Sequence, residues 1–237
     1  MKITRVQINR VNAVILAVAS ATATLSTPGF AYGQTPVLQG SLQVDSNSNT
    51  GAGMSSEQLA KQALASTVTL YMYDADGNLA ATGTGFFVAK DTLVTNFHVI
   101  HNFASGYARF ANDRRSFAIS SVVATDPQQD LAVLYVPGTN APSLKLATYQ
   151  PSIGQAVFVA GSPLGLEGCF SAGTLASIRE DGSIQVTAPV SHGNSGSPLL
   201  DAQGNVLGVI KSGRSDGNNI GFAAPSMALR LLLSTRF

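Results

Sequence analysis

Short runs of apolar and β-branched residues, separated by turn signals, fill most of the chain from residue 67 onward. The turn signals are Asp-Gly and Gln-Gly pairs, which favour tight connections between strands. They lie at 76–77, 181–182, 203–204 and 216–217. The runs with the strongest strand pattern are 68–73, 84–89, 120–124, 131–136, 156–160 and 206–210. No long amphipathic pattern interrupts them, so an all-β barrel or sandwich is predicted.

A short helix is predicted on each side of the strands. Ser55 and Gln58 have the spacing of a capping box, which predicts a helix that continues to residue 65. A second, C-terminal helix is predicted at 226–235, directly after Pro225. Residues 34–54 are rich in Gly, Ser, Asn, Thr and Gln, and we interpret them as a flexible lead because few apolar groups are available to offset the ordering entropy.

The first 33 residues have the pattern of an export signal. The basic residues Lys2, Arg5 and Arg10 come first. An apolar run at 14–19 and then small residues follow, which is the order found in secretory signals. Cleavage is predicted after Gly33, with Ala21 and Ala23 as alternatives. An uncleaved anchor is the other interpretation, although the run is short for a membrane span. We expect an exported protein, periplasmic or secreted, without a stable membrane span after cleavage.

Composition narrows the function classes. Of the 237 residues 45% are hydrophobic, which is enough for a sizeable core. Only 11% are charged, the formal charge is +1, and no basic cluster with interleaved aromatics occurs, so nucleic acid is not an expected partner. Loss of residues 1–33 would remove three basic and no acidic residues, leaving a mildly acidic chain. The lone Cys169 allows no internal disulfide, and the three histidines lack metal-ligand spacing. We expect no metal and no cofactor.

The segment 191–198 (SHGNSGSP) places Ser195 between glycines on a tight turn, where a hydroxyl and nearby N–H groups can converge. A serine nucleophile needs a base and a group that orients the base. His98 follows the predicted strand 91–95, and Asp130 immediately precedes the run 131–136. The order His, Asp, Ser is one of the few known for a serine-protease triad. His101 and His192 have less suitable positions for the base. Asp126 is less suitable as the carboxylate, because it precedes Pro127 and is typical of a turn.

Five segments together resemble trypsin-like serine proteases of the HtrA/Deg type. They are 83–87 (GTGFF), 95–99 (TNFHV), 130–133 (DLAV), 193–196 (GNSG) and 219–226 (NIGFAAPS). The resemblance covers about residues 57–235 and lacks that family's regulatory PDZ module. It implies two six-stranded antiparallel β-barrels within 55–237, the first at about 66–140 and the second at about 150–225, with the active site between them.

The same resemblance implies roles for the matching residues. Ser195 is the nucleophile, His98 the base that becomes the acid, and Asp130 the group that orients it. The oxyanion hole is assigned to Gly193, Asn194 and Ser195. No internal segment suits activation by cleavage to a new N-terminus, so competence is expected to depend on the protein's own loops. Residues 164–172 are a candidate mobile loop, or else an ordinary barrel connection.

Two departures from the family pattern are visible. Ser197 replaces the usual second glycine after the nucleophile, and Lys211 stands where a small polar residue usually supports the aspartate. The Lys211 side chain either points to solvent, which we favour, or competes for Asp130. In the first case the strand 210–213 offers its edge to an extended substrate.

The substrate class is predicted from these features as extended or unfolded polypeptide, hydrolysed by a serine endopeptidase through an acyl-enzyme. The residues expected to bind substrate are Ala188, Pro189, Val190, His192, Ile210, Lys211, Ser212, Gly213 and Ala223. Their composition indicates a primary pocket without negative charge, which favours apolar side chains. A catalytically silent module that binds polypeptides is the alternative, and an esterase using the same triad is a third interpretation. The oligomeric state stays open.

Overall fold

A computed structural model describes residues 54–112, 114–162, 165–213 and 220–235. The predicted export signal, nearly all of the predicted lead and the turn signal at 216–217 lie outside these ranges. Within them, strands dominate and the helices are short. None of the helices in these ranges is long and apolar enough to cross a membrane.

Most of the strands agree with the sequence pattern within a few residues. The first part of the chain forms α1 (Ser56–Ala65), β1 (Thr67–Tyr73), β2 (Leu79–Ala89), β3 (Thr92–Thr95), α2 (Phe97–Ile100), β4 (Ser105–Arg109), β5 (Ser116–Ala118), β6 (Ser121–Asp126) and β7 (Leu131–Tyr135). The second part forms β8 (Ala156–Gly161), β9 (Cys169–Ile178), β10 (Ile184–Val186), β11 (Pro198–Leu200), β12 (Val206–Gly213), β13 (Gly221–Pro225) and α3 (Ser226–Ser234).

The first sheet is antiparallel and has seven strands in the order β5-β4-β1-β2-β3-β7-β6, where six were expected. Its two edge strands, β5 and β6, are separated by only two residues. Ile119 N donates to Gly106 O of β4 at 3.0 Å, and Ser120 N donates to Tyr135 O of β7 at 2.9 Å. The chain therefore changes hydrogen-bonding partner between consecutive residues. The seventh strand arises because β5 and β6, which follow one another closely in the chain, pair with different strands.

The second sheet closes into a six-stranded barrel in the order β10-β13-β12-β11-β8-β9. Side chains from facing strands fill its interior, among them Val157, Leu175, Ile184 and Leu199, all essentially inaccessible to solvent. This burial supplies the hydrophobic free energy that stabilises the barrel. The all-β architecture with a short helix at each end, predicted from the sequence, is confirmed.

Both terminal helices pack into a core shared by the two halves. Leu59 of α1 and Leu229 of α3 lie in one cluster with Phe86 of β2 and Leu200 of β11. The predicted capping box is present, because Ser55 Oγ accepts from Gln58 N at 3.2 Å and Gln58 Oε1 accepts from Ser55 N at 3.0 Å. The shared core holds the first sheet against the second barrel.

Candidate active site

The His98 side chain is half exposed, although residues next to it in the chain are buried. It lies on the short helix α2 directly after β3, between the fully buried Asn96 and the buried Val99. Half of the His98 side-chain surface is exposed. Asn96 Nδ2 donates to the main-chain oxygen of Asp130 at 2.8 Å, which ties the start of α2 to the start of β7. The strand end thus fixes the backbone while the imidazole faces outward.

Asp130 holds His98 at two points. Its Oδ1 accepts from His98 N at 2.9 Å, and its Oδ2 lies 2.7 Å from His98 Nδ1. With the proton on Nδ1, the ring donates to Asp130 and leaves Nε2 as an acceptor. Asp130 adopts a positive φ of 57°, in the left-handed region that Asp tolerates better than most residues. This conformation places the carboxylate under the imidazole.

Asp126 has the turn role that the sequence indicated. Its Oδ1 accepts from Gln128 N and Gln129 N, both at 3.0 Å. The other two histidines also lie outside the His98–Asp130 pair. His101 is exposed and packs its ring 4.7 Å from that of Phe97, and His192 is exposed on the turn before Ser195.

Ser195 lies on a turn whose backbone requires a glycine after it. Gly196 has φ +89°, and a Cβ there would lie 2.0 Å from Thr84 O. Ser195 O accepts from Thr84 N at 2.8 Å, which joins the turn to β2. The Ser195 hydroxyl donates to Lys211 O at 3.0 Å. Among the described residues it makes no hydrogen bond with His98.

The turn before Ser195 leaves two N–H groups available. Asn194 N donates to Ser191 O at 3.0 Å, and Gly193 has φ +94°, which suits the third position of such a turn. The N–H groups of Gly193 and Ser195 have no acceptor within the described ranges. Of the three residues predicted for the oxyanion hole, Gly193 and Ser195 therefore offer free donors. The N–H of Asn194 is engaged within the turn.

The residues expected to bind substrate divide into two groups. Ala188, Ile210 and Ala223 are fully enclosed in the core of the second barrel, so their side chains cannot touch a substrate in this conformation. Pro189 and His192 are exposed. Val190 is half-buried and packs against Gly221.

Beyond Ile210, one edge of β12 has no paired strand among the described residues, and this edge lies beside Ser195. Ile210 is the last residue of β12 that forms backbone hydrogen bonds with the turn around Ser195 (residues 191–197). Gly196 N donates to Ile210 O at 2.8 Å, and Ile210 N donates to Ser197 O at 2.9 Å. Ser212 and Gly213 pair with β13 on the other side. Lys211–Gly213 thus lie past the point where β12 has neighbours on both sides.

The positive charge of Lys211 influences the carboxylate of Asp181. Lys211 makes no ion pair with Asp130 in the described structure. The pKa of Asp181 lies below its ordinary value because of hydrogen bonds from Ser183, with a further contribution from the Lys211 charge. Within the described residues, the hydrogen bond between Lys211 and Ser195 uses the carbonyl oxygen of Lys211 and not its side chain.

Ser197 is accommodated by a glycine in the facing strand. Its side chain is fully buried, and a Cβ at Gly161 would lie 2.1 Å from Ser197 Oγ. Ser197 N donates to Asn194 O at 2.9 Å, a further hydrogen bond within the turn around Ser195. The absence of a side chain at Gly161 makes room for the serine.

A polar cluster that the sequence did not indicate joins the two halves. Glu167, which follows β8, accepts from Tyr71 OH at 2.6 Å and from Arg109 Nε at 2.7 Å. Burial and the Glu167 hydrogen bond raise the pKa of Tyr71 to about 12. Burial alone would raise the pKa of Glu167, but hydrogen bonds from Tyr71 and Arg109 outweigh it and hold that pKa below its ordinary value.

The candidate mobile loop at 164–172 is only partly a loop. Leu164 lies outside the described residues, and Cys169–Ala172 begin β9 and pair with β8. Cys169 is a free, half-buried thiol whose Sγ donates to Leu166 O at 3.3 Å. The connection is therefore shorter than expected, and Glu167 anchors it to the first sheet.

Relatives with similar sequences come from several bacteria. "Uncharacterized protein y4bJ" of Sinorhizobium fredii is 37% identical over 145 residues, covering 57% of this chain and 22% of that protein. "Probable periplasmic serine endoprotease DegP-like" of Chlamydia muridarum is 32% identical over 167 residues, covering 65% of this chain and 33% of that protein. This chain spans a third or less of the length of these two relatives.

Solved structures and a family model agree with this likeness. A serine endoprotease from Yersinia pestis superposes with a TM-score of 0.71 at 25% identity, over 78% of this chain and 67% of that one. The active form of a protease from M. tuberculosis gives a TM-score of 0.67 at 25% identity, over 78% and 88%. The model of the trypsin-like peptidase domain matches residues 83–209, which include His98, Asp130 and Ser195. On these grounds the chain belongs to the trypsin-like peptidase family.

Proposed function

We propose that the protein is an exported serine endopeptidase that hydrolyses extended or unfolded polypeptides through His98, Asp130 and Ser195. The observation that carries this proposal is the double contact of Asp130 with His98, beside a serine flanked by two free N–H groups. Membership of the trypsin-like peptidase family supports it. The name of the chlamydial relative, which includes "periplasmic serine endoprotease", supports an exported enzyme.

The reaction begins with a rotation of the Ser195 side chain. Its hydroxyl must leave Lys211 O and turn to His98 Nε2, which requires a change of the Ser195 rotamer. His98 then accepts the hydroxyl proton while Ser195 Oγ attacks the scissile carbonyl carbon. Asp130 stabilises the imidazolium that forms, and the N–H groups of Gly193 and Ser195 stabilise the oxyanion.

Breakdown of the tetrahedral intermediate completes acylation. His98 donates its proton to the amine nitrogen as the C–N bond breaks, which leaves an ester on Ser195. Water then attacks this ester with His98 again as the base, and the proton returns to Ser195 Oγ when the acid product departs. Each proton that His98 accepts is given back, so the enzyme is regenerated unchanged.

The free edge at Lys211–Gly213 suits an extended substrate. A peptide main chain laid along this edge would pair as an added strand and bring a carbonyl group to Ser195. Because such pairing uses the main chain, it favours segments that are not already folded. An apolar side chain is the expected preference next to the cleaved bond.

Labelling with a fluorophosphonate probe tests the proposal. The purified chain lacking residues 1–33 is treated with the probe, and the modified residue is located by mass spectrometry. We expect modification of Ser195 only, lost in Ser195→Ala and reduced to background in His98→Ala. A folded protein that is not labelled, yet binds unfolded polypeptide equally well with and without Ser195→Ala, would instead establish the silent binding module. Matched peptide and ester substrates separate a peptidase from an esterase.

A further inference from the structure

Thr84 of β2 contacts both residues that carry the free N–H groups. Its Oγ1 donates to Gly193 O at 2.6 Å, and its main-chain N donates to Ser195 O at 2.8 Å. The side chain is fully buried. A single residue of the first sheet therefore holds the carbonyl groups of the two residues that frame the oxyanion position.

The Thr84 hydroxyl is fixed by its own partners. It has one proton, given to Gly193 O, and it accepts from Ser162 N at 3.1 Å. Ser162 Oγ in turn lies 2.6 Å from Thr69 Oγ1 of β1. Since both the donor and an acceptor site of the hydroxyl are used, and β-branching restricts χ1, the group has one favoured orientation.

The peptide between Gly193 and Asn194 is held at both ends. Its oxygen accepts from Thr84 Oγ1, and its N–H donates to Ser191 O at 3.0 Å. Gly193 has no Cβ to restrict its backbone, so it could adopt other conformations in which its N–H turns away from Ser195. The Gly193 N–H belongs to the preceding peptide, across the Gly193 Cα. Holding the peptide that follows therefore limits the rotation about the Gly193 backbone bonds that would turn this N–H away.

We propose that the Thr84 hydroxyl is a positioning group for the oxyanion hole, which orients the Gly193 N–H through the Gly193 carbonyl. The proposal rests on the proposed peptidase function. Removal of the hydroxyl takes away the partner that Gly193 O and Ser162 N have in Thr84 Oγ1, and leaves the Gly193–Asn194 peptide held only through the Asn194 N–H among these contacts. The donor is then aligned for only part of the time, which weakens stabilisation of the transition state more than substrate binding.

Thr84→Val tests this role, because valine has the shape of threonine without the hydroxyl. We expect kcat to fall about 10- to 100-fold with KM within about threefold, since complete loss of an oxyanion donor costs about 100- to 1000-fold. Affinity for a peptide boronic acid, which forms a tetrahedral adduct with the serine, should fall in proportion to kcat/KM. Thr84→Ser keeps the hydroxyl and should stay within about threefold of the wild type.

Thr67→Val is the matched control. Thr67 is also a buried threonine of the first sheet. Its hydroxyl donates to Ala63 O of α1 at 2.8 Å and not to a residue of the turn around Ser195. It should lose stability without losing kcat. If Thr84→Val does not fold, Thr84→Ala and Thr84→Ser form a second pair that differ only by the hydroxyl.

Two results would overturn the inference while leaving the peptidase function intact. One is a hydroxyl-free variant at position 84 with the kcat and boronic acid affinity of Thr84→Ser, in an active wild-type background. The other is an equal loss of kcat in Thr67→Val, which would show a general effect of stability. A wild-type protein with neither turnover nor labelling at Ser195 would overturn the proposed function and this inference together.

Discussion

The hydroxyl of Ser195 donates to the carbonyl oxygen of Lys211 at 3.0 Å, in the part of β12 that follows its last hydrogen bond to the turn around Ser195. The Ser195 hydroxyl is thus directed towards the edge where we propose that substrates pair. A peptide that binds there approaches the same carbonyl group. In the proposed mechanism, the oxygen that holds the Ser195 hydroxyl thus lies on the edge that receives the substrate.

Asp130→Asn should lower kcat about 10⁴-fold while leaving the fold intact. The carboxylate accepts from both His98 N and His98 Nδ1, and an amide can accept at only one of its two polar atoms. The imidazole then loses its correct tautomer. Steady-state hydrolysis of a peptide substrate measures the effect. Asp126→Asn is the control, since an amide oxygen can still accept from Gln128 N and Gln129 N, and its kcat should stay within about twofold.

Gly196→Ala should destabilise the protein by about 2 to 5 kcal/mol. The positive φ disfavours a side chain, and the added Cβ would collide with Thr84 O and Thr95 Oγ1. Chemical denaturation measures the free energy of unfolding. Gly77→Ala separates the two causes, because Gly77 has φ +81° with open space around it and should lose only about 1 to 2 kcal/mol. Equal losses in the two variants would contradict the proposed collision.

Glu167→Gln should destabilise the protein at neutral pH by about 1 kcal/mol, and the difference from wild type should vanish in acid. The pKa of Glu167 in the folded protein lies below its ordinary value of 4.5. Its contribution is therefore fully present above pH 4.5 and lost as the pH falls through the lower folded pKa. Thermal unfolding of both proteins from pH 7 downward measures this. Glu180→Gln, at an exposed position, serves as the control; a difference that persists at the acid limit would refute the assignment.

Leu59→Ala should cost about 2 to 5 kcal/mol, because Leu59 is only 1% exposed and packs in the core shared by the two halves. Leu231 of α3 is 62% exposed, so Leu231→Ala should change the free energy of unfolding by less than about 0.5 kcal/mol. Denaturant titrations of the two variants compare a buried with an exposed helix leucine. A small loss for Leu59→Ala would mean that α1 is not firmly docked.

The strands and the positions of His98, Asp130 and Ser195 could be predicted because their signals are local. Alternation of apolar and polar residues indicates a strand within a few positions. Each of the three residues also lies in a characteristic segment of about five residues. The glycines around Ser195 indicate a tight turn in the same way. These features depend on the residues themselves and little on what packs against them.

The contacts that position those residues could not be predicted, because they join distant parts of the chain. Thr84 and Gly193 are 109 positions apart, and Tyr71 and Glu167 are 96 apart. Nothing near Thr84 indicates which carbonyl its hydroxyl binds. The separation of β5 from β6 depends on their pairing with two different strands, β4 and β7. The burial of Ala188, Ile210 and Ala223 depends on closure of the second barrel.

The docking of α1 also affects the order in which the protein can fold. Leu59 and Ala63 belong to the first described element, yet the core cluster that contains them also includes Leu200, Val206 and Leu229. A ribosome that makes the chain from its N-terminus completes this cluster only when the last helix has been synthesised. The apolar side of α1 therefore stays without its full cover until α3 has been made, so this core can form only after synthesis of both halves.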